Sequence, residues 1–392
     1  METNLAIFDK KIKILDFSPY YPPHIGGLEK YAEELHENLS KKNCEIVVFT
    51  PHFPKTAPKE EIKPGIKIIR YPAVEIIFCF PFPCIWKREF WRQWKKISNS
   101  YFDIAISTSR FFIQPSMAFF YSWRKKIPLL HIEHGSDFVK NTPFVSLVAK
   151  IFDETLGRFI LSHADKVIAP SQSAARFVKL LSHRIAPVIY RGMPFAEIDS
   201  IAPETSLKEK FRNKTIITYV GRLIYGKGVV HLIEALSNLN KKNSVLLIVG
   251  DGPLRESIEE CAKKNRVNNQ VIFLGNIAFE KAIAILKITD IFVNPSYNEG
   301  LPTSVLEAGV CRKAILATNV GGTPEIIRNG VSGVIIEPHS VKALKEALGE
   351  LLDNPEKRKM LGENARQEIE QKFNWENSIE AYIREINSII KK

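Results

Sequence analysis

The sequence predicts an α/β chain built from two doubly wound, Rossmann-like domains. Three observations carry that prediction. The 392 residues suit about two domains. Short apolar runs alternate with helical periods of about 10–15 residues through both halves. The alternation breaks once, at a polar stretch near the middle, and then restarts.

Taken in order, Ile12–Ser18 (IKILDFS) is an apolar run, followed by a Pro/Gly loop and a helical period over Leu28–Ser40. Glu45–Thr50 and Ile66–Tyr71 are rich in β-branched residues and read as strands. Asp103–Ser107, Pro128–Ile132 and Lys166–Ala169 continue the series, with helices between or after them. This alternation predicts a parallel sheet covered by helices on both faces. Arg191–Lys214 holds two prolines, little apolar content and mixed charge, and reads as a linker. Six further strands are expected at Thr215–Val220, Ser244–Val249, Gln270–Leu274, Asp290–Asn294, Lys313–Ala317 and Gly333–Ile336. Three polar or amphipathic helices close the chain. The expected domains are therefore 1–190 and 215–372, joined by 191–214, with a last helix over 373–392. No repeat at solenoid periods and no low-complexity tract interrupts them.

Composition excludes several classes. Five cysteines, an odd number without a CxxC pair, argue for free thiols in a reducing compartment over a disulfide framework. Cys79 and Cys84 are too isolated for a zinc site. The opening METNLAIFDKKIKILDF lacks the apolar run of a signal peptide. The longest uncharged apolar stretches, Phe111 to Trp123 and Ile76 to Trp86, fall short of the roughly 18–20 residues that span a bilayer. A cytoplasmic protein is expected, or one peripheral to the inner face of the cell membrane. The net charge is +12, and residues 1–190 carry most of it, with 27 Lys/Arg against 18 Asp/Glu. That imbalance suits an anionic surface or substrate, or a plain solubilising excess.

In doubly wound sheets, ligands bind beyond the carboxyl ends of the strands, so four strand-to-helix junctions matter most. Pro22-Pro-His-Ile-Gly-Gly-Leu28 follows the first strand and opens a helix, whose first N–H groups and dipole favour an anion. Val220-Gly-Arg-Leu-Ile-Tyr-Gly-Lys-Gly228 sets Arg222 and Lys227 in a glycine-rich loop, a bidentate cation beside a mobile one. In Asn298-Glu-Gly-Leu-Pro-Thr-Ser-Val-Leu-Glu307, Glu299 lies in a turn and Glu307 inside the helix that follows. Two carboxylates so placed can touch separate hydroxyl-bearing ends of one ligand. Val320-Gly-Gly-Thr-Pro-Glu325 is a second Gly-Gly turn before a Pro helix start. The first strand is not followed by G-x-G-x-x-G, which argues against a dinucleotide oxidoreductase.

Together these residues resemble the family-4 glycosyltransferases of the GT-B fold, over nearly the whole chain. The resemblance is carried by PHIGGLEKYAEEL, IEHGSDF, VGRLIYGKG and NEGLPTSVLEAG, with TNVGGTPEIIRNG after them. The last two motifs, Glu-x7-Glu and then Gly-Gly-x-Pro-Glu, are the most specific. The resemblance implies two Rossmann-like domains facing a central cleft and a retaining transfer of sugar from a nucleotide-sugar donor, a hexosyltransferase activity. It implies that Arg222 and Lys227 neutralise the donor diphosphate, that Glu299 contacts the sugar hydroxyls, and that Glu307 holds the ribose. Gly300 and Leu301 are implied as further donor contacts. Gly26 and Gly27 are implied to close over the phosphates, and His134 to face the sugar. No metal or other cofactor is implied, in keeping with the lack of any Asp-x-Asp. The implied acceptor is a glycan or a polyprenyl- or lipid-linked chain, as in cell-envelope polysaccharide assembly. A last helix crossing back to the first domain is also implied. Two departures stand out: Tyr190-Arg-Gly-Met-Pro194, where an Asn-Gly turn is usual, and Ala308-Gly-Val-Cys-Arg-Lys313 after Glu307. Two alternatives remain at this level: a nucleotide-sugar epimerase of the same fold, and an inactive nucleotide-sugar-binding protein.

One stretch stands apart. Phe78–Trp86 leads into Lys87-Arg-Glu-Phe-Trp-Arg-Gln-Trp-Lys-Lys-Ile97, where Trp86, Phe90, Trp94 and Ile97 share a helical face and the bases lie mostly off it. Residues 78–97 therefore either rest on an anionic membrane surface or pack into the core. No nucleic-acid motif accompanies them.

Overall fold

The computed structural model of the chain describes residues 10–76, 80–138, 143–239 and 241–390. Contacts divide it into two units. One comprises residues up to 138, 143–192 and the segment from 375 onward; the other comprises 193–374.

The first unit contains β1 (Ile12–Phe17), β2 (Cys44–Pro51), β3 (Glu60–Lys63), β4 (Ile66–Tyr71), β5 (Ala73–Ile76), β6 (Phe80–Pro83), β7 (Ile104–Thr108), β8 (Leu129–Ile132) and β9 (Lys166–Ile168). Seven of them form one sheet in the order β3-β4-β2-β1-β7-β8-β9, while β5 and β6 pair separately. All pairings in the large sheet are parallel except β3 with β4. Side chains alternate across each strand, so Ile14, Ile46 and Ile68 enter one core while Leu15, Val47 and Ile69 meet the other. The first core is covered by Tyr31, Leu35 and Leu39 of the helix Gly27–Ser40 and by Ile379, Tyr382, Ile383 and Ile386 of the helix Trp375–Ile390. The Tyr31 and Tyr382 hydroxyls are hydrogen-bonded between those two helices.

The second unit contains β10 (Thr215–Val220), β11 (Ser244–Val249), β12 (Val271–Gly275), β13 (Ile291–Asn294), β14 (Ala314–Thr318) and β15 (Val334–Ile336). They form a wholly parallel sheet in the order β12-β11-β10-β13-β14-β15. The order reverses between β10 and β13, and in the first sheet between β1 and β7. At each reversal the flanking loops diverge and leave a crevice at the carboxyl ends of the strands.

At three points the structure goes beyond the sequence. The stretch expected as a linker is not bare: it carries the helices Phe195–Ser200 and Thr205–Lys210. Strands β3, β5 and β6 were not expected. They are short or proline-containing and lie outside the parallel core, so they lack the buried apolar run that announces the others. The aromatic stripe of 78–97 mostly faces inward. Phe90 and Ile97 of the helix Arg88–Ser98 are buried, and Trp94 packs against the same core. Trp86 and Trp91 are the exposed indoles there, at 68% and 55%. Phe78 and Cys79 lie outside the described residues. Cys44, Cys84, Cys261 and Cys311 are free thiols. Among the described residues, no helix is long and apolar enough to cross a membrane.

Candidate functional site

In the second unit, three loops converge beyond β10, β13 and β14. After β10, the chain turns at Gly221, runs through Arg222, and makes a single 3-10 turn over Tyr225–Lys227. Gly228 ends that turn with φ +64°, and any Cβ there would run into the Pro295 carbonyl. Glycine is therefore required by conformation and by space. The Tyr297 N–H donates to the Gly226 carbonyl at 2.8 Å, which ties this loop to the one after β13.

That tie brings Lys227 to Glu299. The Lys227 ammonium donates to Glu299 Oε1 at 2.7 Å, with the two side chains 23% and 10% exposed. The same carboxylate oxygen lies 2.6 Å from the Ser296 hydroxyl, which is also 2.6 Å from Asn294 Oδ1 and donates to one of them. From the third loop, Gly321 has φ +53°, and a Cβ on it would overlap the Glu299 carbonyl. The Gly322 N–H donates to the Gly300 carbonyl at 2.7 Å. The Glu299–Gly300 turn is thus held from both sides, with half-buried Leu301 after it. Glu307 lies within the helix Thr303–Val310, half-buried, and Arg222 is exposed. The arrangement leaves two cations and two carboxylates around one switch point, able to meet an anion flanked by hydroxyl-bearing groups.

In the first unit, Gly26 and Gly27 are exposed at the start of the helix Gly27–Ser40. The Glu29 side chain folds back over Gly26: a Cβ on Gly26 would overlap its carboxylate, and that carboxylate lies 2.6 Å from His24 Nδ1. The His24 ring stacks on Tyr20 with centroids 4.2 Å apart. Tyr31, from the helix that begins at Gly27, meets the His134 ring edge-on at 4.7 Å. His134 follows β8, and its Nε2 is buried without a hydrogen bond. Burial is the main cause that lowers its pKa to about 4, so the ring is neutral near pH 7.

The departure at Tyr190-Arg-Gly is structural. Arg191 Nη2 donates to Glu34 at 2.5 Å, Trp375 Nε1 reaches the same oxygen at 3.3 Å, and a Cβ on Gly192 would overlap Trp375. Sequence reasoning passed over Ser296 and Asn294, which hold Glu299. The available signal was a short polar turn at the end of the apolar run DIFVN. Among the described residues, no group of three or more His, Cys, Asp or Glu side chains is placed to hold a metal ion.

Comparison with known proteins bears on what this architecture serves. The family model described as Glycosyltransferase Family 4 matches residues 25–196, and that described as Glycosyl transferases group 1 matches 203–368. An uncharacterized glycosyltransferase of Methanocaldococcus jannaschii is 38% identical over 383 residues, 95% of this chain and 97% of its own. The chain belongs to the family-4 glycosyltransferases. Two solved structures share the GT-B fold of this glycosyltransferase. Sucrose-phosphate synthase from Thermosynechococcus elongatus superposes with a TM-score of 0.79 at 21% identity, covering 97% of this chain and 99% of its own. An Anabaena protein in complex with UDP and glucose superposes with a TM-score of 0.76 at 19% identity, covering 96% and 99%.

Proposed function

We propose that this glycosyltransferase moves a sugar, with retention of anomeric configuration, from a nucleotide-diphosphate donor to a glycan or lipid-linked acceptor. The observation that carries the reading is the 2.7 Å Lys227–Glu299 pair, beside Arg222, at the switch point of the second sheet. Without donor, Glu299 neutralises Lys227. An arriving diphosphate takes over the ammonium and Arg222, and frees the Glu299 carboxylate to accept from the sugar hydroxyls. Glu307 takes the ribose hydroxyls, and Gly300 and Leu301 line the same turn. Gly26, Gly27 and His134 of the first unit serve the phosphates and the sugar. As the bond to the diphosphate breaks, the sugar gains oxocarbenium character, and negative charge grows on the leaving oxygens. Fixed cations at that position stabilise the charge as it develops. Arg222 and Lys227 fill this role without a bound metal. The Anabaena structure with UDP and glucose supports a uridine nucleotide as the first donor to try.

A thermal-shift screen of nucleoside diphosphates tests the reading. A binding nucleotide at about 100 times its Kd adds roughly 2.7 kcal/mol of stability. Lys227→Ala should abolish most of that shift and slow turnover by about 3 to 4 kcal/mol of barrier, by analogy with lost oxyanion donors. A folded Lys227→Ala protein with ordinary turnover sinks the assignment.

A membrane-facing role is proposed for the exposed part of the 78–97 region alone. Ile85, Trp86 and Trp91 are more than half exposed, and Lys87, Arg88, Arg92 and Lys95 stand among them. Interfacial indoles flanked by bases suit an anionic lipid surface and a lipid-linked acceptor. Flotation with phosphatidylserine-rich vesicles at low salt should recover the protein, and the Trp86→Ala/Trp91→Ala double variant should remain unbound. Equal flotation of both proteins counts against this role.

A further inference from the structure

Arg110 is charged, 3% exposed, and has no part in the roles assigned above. It follows β7, where the strand order of the first sheet reverses. The corresponding crevice of the second sheet is where Lys227 meets Glu299. Ser109, with φ +59°, makes the turn into Arg110.

All three nitrogens of the guanidinium donate to carboxylates. Nε and Nη2 donate to the two oxygens of Asp153 at 3.0 and 3.1 Å, and Nη1 donates to Glu133 Oε1 at 2.8 Å. The face of the group lies 4.4 Å from the centre of the Phe177 ring. Glu133, 1% exposed, also accepts the backbone N–H groups of Arg110 at 3.1 Å and Gly135 at 2.6 Å, and lies 3.3 Å from His131 Nε2. Burial alone would raise the Glu133 carboxyl; the Arg110 charge and the surrounding donors outweigh that and hold it at about 2. Asp153, wholly buried, opens a five-residue π-helical turn, Asp153–Gly157, inserted between two α-helices. Such turns recur at functional sites. Any side chain at Gly135 would overlap the Arg110 guanidinium.

A buried ion cluster of this kind contributes little net stability compared with an apolar filling of the same volume. What it does supply is geometry. Its two carboxylates come from different segments, and between Glu133 and Gly135, both held by it, stands His134. We propose that Arg110, gripped by Asp153 and Glu133, is a positioning residue that fixes the Glu133–His134–Gly135 turn and so presents the His134 imidazole to the transferred sugar. This rests on the reading of His134 given under Proposed function.

The test is a double-mutant cycle with an independent spectroscopic arm. Arg110→Lys keeps the charge and loses the fork that two carboxylates grip. Asp153→Asn keeps the shape and loosens the grip, so it serves if Arg110→Lys does not fold. Turnover is measured with the nucleotide-sugar whose diphosphate is selected in the thermal-shift screen. A displacement of about 1 Å at a substrate-contacting group costs roughly 100-fold in rate, and that loss is expected in kcat for Arg110→Lys, with nucleoside-diphosphate affinity unchanged. In a His134→Ala background the same substitution should cost nothing further. If the two losses instead multiply, the positioning role is overturned while the His134 reading stands. If His134→Ala turns over normally, both fall.

The spectroscopic arm needs no substrate. The charged and titratable groups around the His134 ring are Glu133, His131 and Arg191, with Tyr31 against its edge. In the wild type, histidine NMR should show His134 titrating near 4, and in either variant moving toward the ordinary 6.5. A His134 titration that both folded variants leave unmoved overturns the proposal.

Discussion

At the scale of residues, burial decides which acids and bases are charged. Asp16, at the end of β1, is wholly buried, accepts from the Ser18 hydroxyl, and stands 3.4 Å from His36 Nε2. Its Oδ1 has no partner. Burial raises its pKa from 3.8 to about 7, and burial lowers that of His36 to about 3. Both groups are thus driven toward neutrality. For Asp16 the folded value lies above the unfolded one, so its contribution to stability is full below 3.8 and declines as pH rises to about 7. His36 acts in the opposite sense: its contribution is full above 6.5 and declines as pH falls toward 3. Asp16→Asn should therefore gain on the wild type in melting temperature as pH is raised from about 4 to about 7, and the difference should level off above that. A difference independent of pH refutes the buried-acid account. None of this was legible beforehand, because IKILDFS reads as an apolar run in which one Asp is unremarked. The pairing depends on His36, which is twenty residues away in sequence and adjacent only once the helix has packed.

At the scale of elements, what could be read was whatever had to be buried on both sides. TIITYV, SVLLIV and DIFVN are nearly continuous apolar runs, and each became a central strand of the second sheet within a residue of the expected bounds. The turns of the candidate donor site were equally legible, since Gly228 and Gly321 occupy left-handed conformations that glycine adopts most readily, at places with no room for a Cβ. The Arg110 cluster was not legible. Its members come from three separate segments, and an arginine after an apolar run looks like any surface base. The direction of the 87–97 helix stayed open for a related reason: periodicity identifies an apolar face and cannot say whether protein or lipid covers it. The helix Trp375–Ile390 shows the same logic in reverse. Its amphipathic pattern was plain, and its partner turned out to be a sheet laid down near the start of the chain. Ile386 is fully buried there. Ile386→Ala should cost about 2–5 kcal/mol in chemical denaturation. A loss below about 1 kcal/mol would mean that the helix is only loosely seated.

At the scale of the whole molecule, the two units differ in how they are assembled from the chain. The second is continuous from 193 to 374, whereas the first is closed by residues from 375 onward. Expressed alone, 193–374 should fold and bind the selected nucleoside diphosphate. Residues 1–192 alone should expose Tyr31, which meets Trp375 and Tyr382, and aggregate, and adding the peptide 375–392 should restore solubility. A soluble, cooperatively melting 1–192 fragment contradicts this. The final helix was legible as an element, and the family resemblance implied its return to the first domain; which side chains it meets there could be known only from packing. The order of synthesis then has a cost. On the ribosome, domains ordinarily fold as they emerge, the N-terminal one first. Here the half translated first must wait for the half translated last, and in the interval its unfinished apolar surface is a substrate for chaperones. A message cut short before codon 375 yields a chain whose second unit can form while its first cannot, a product fit only for proteolysis.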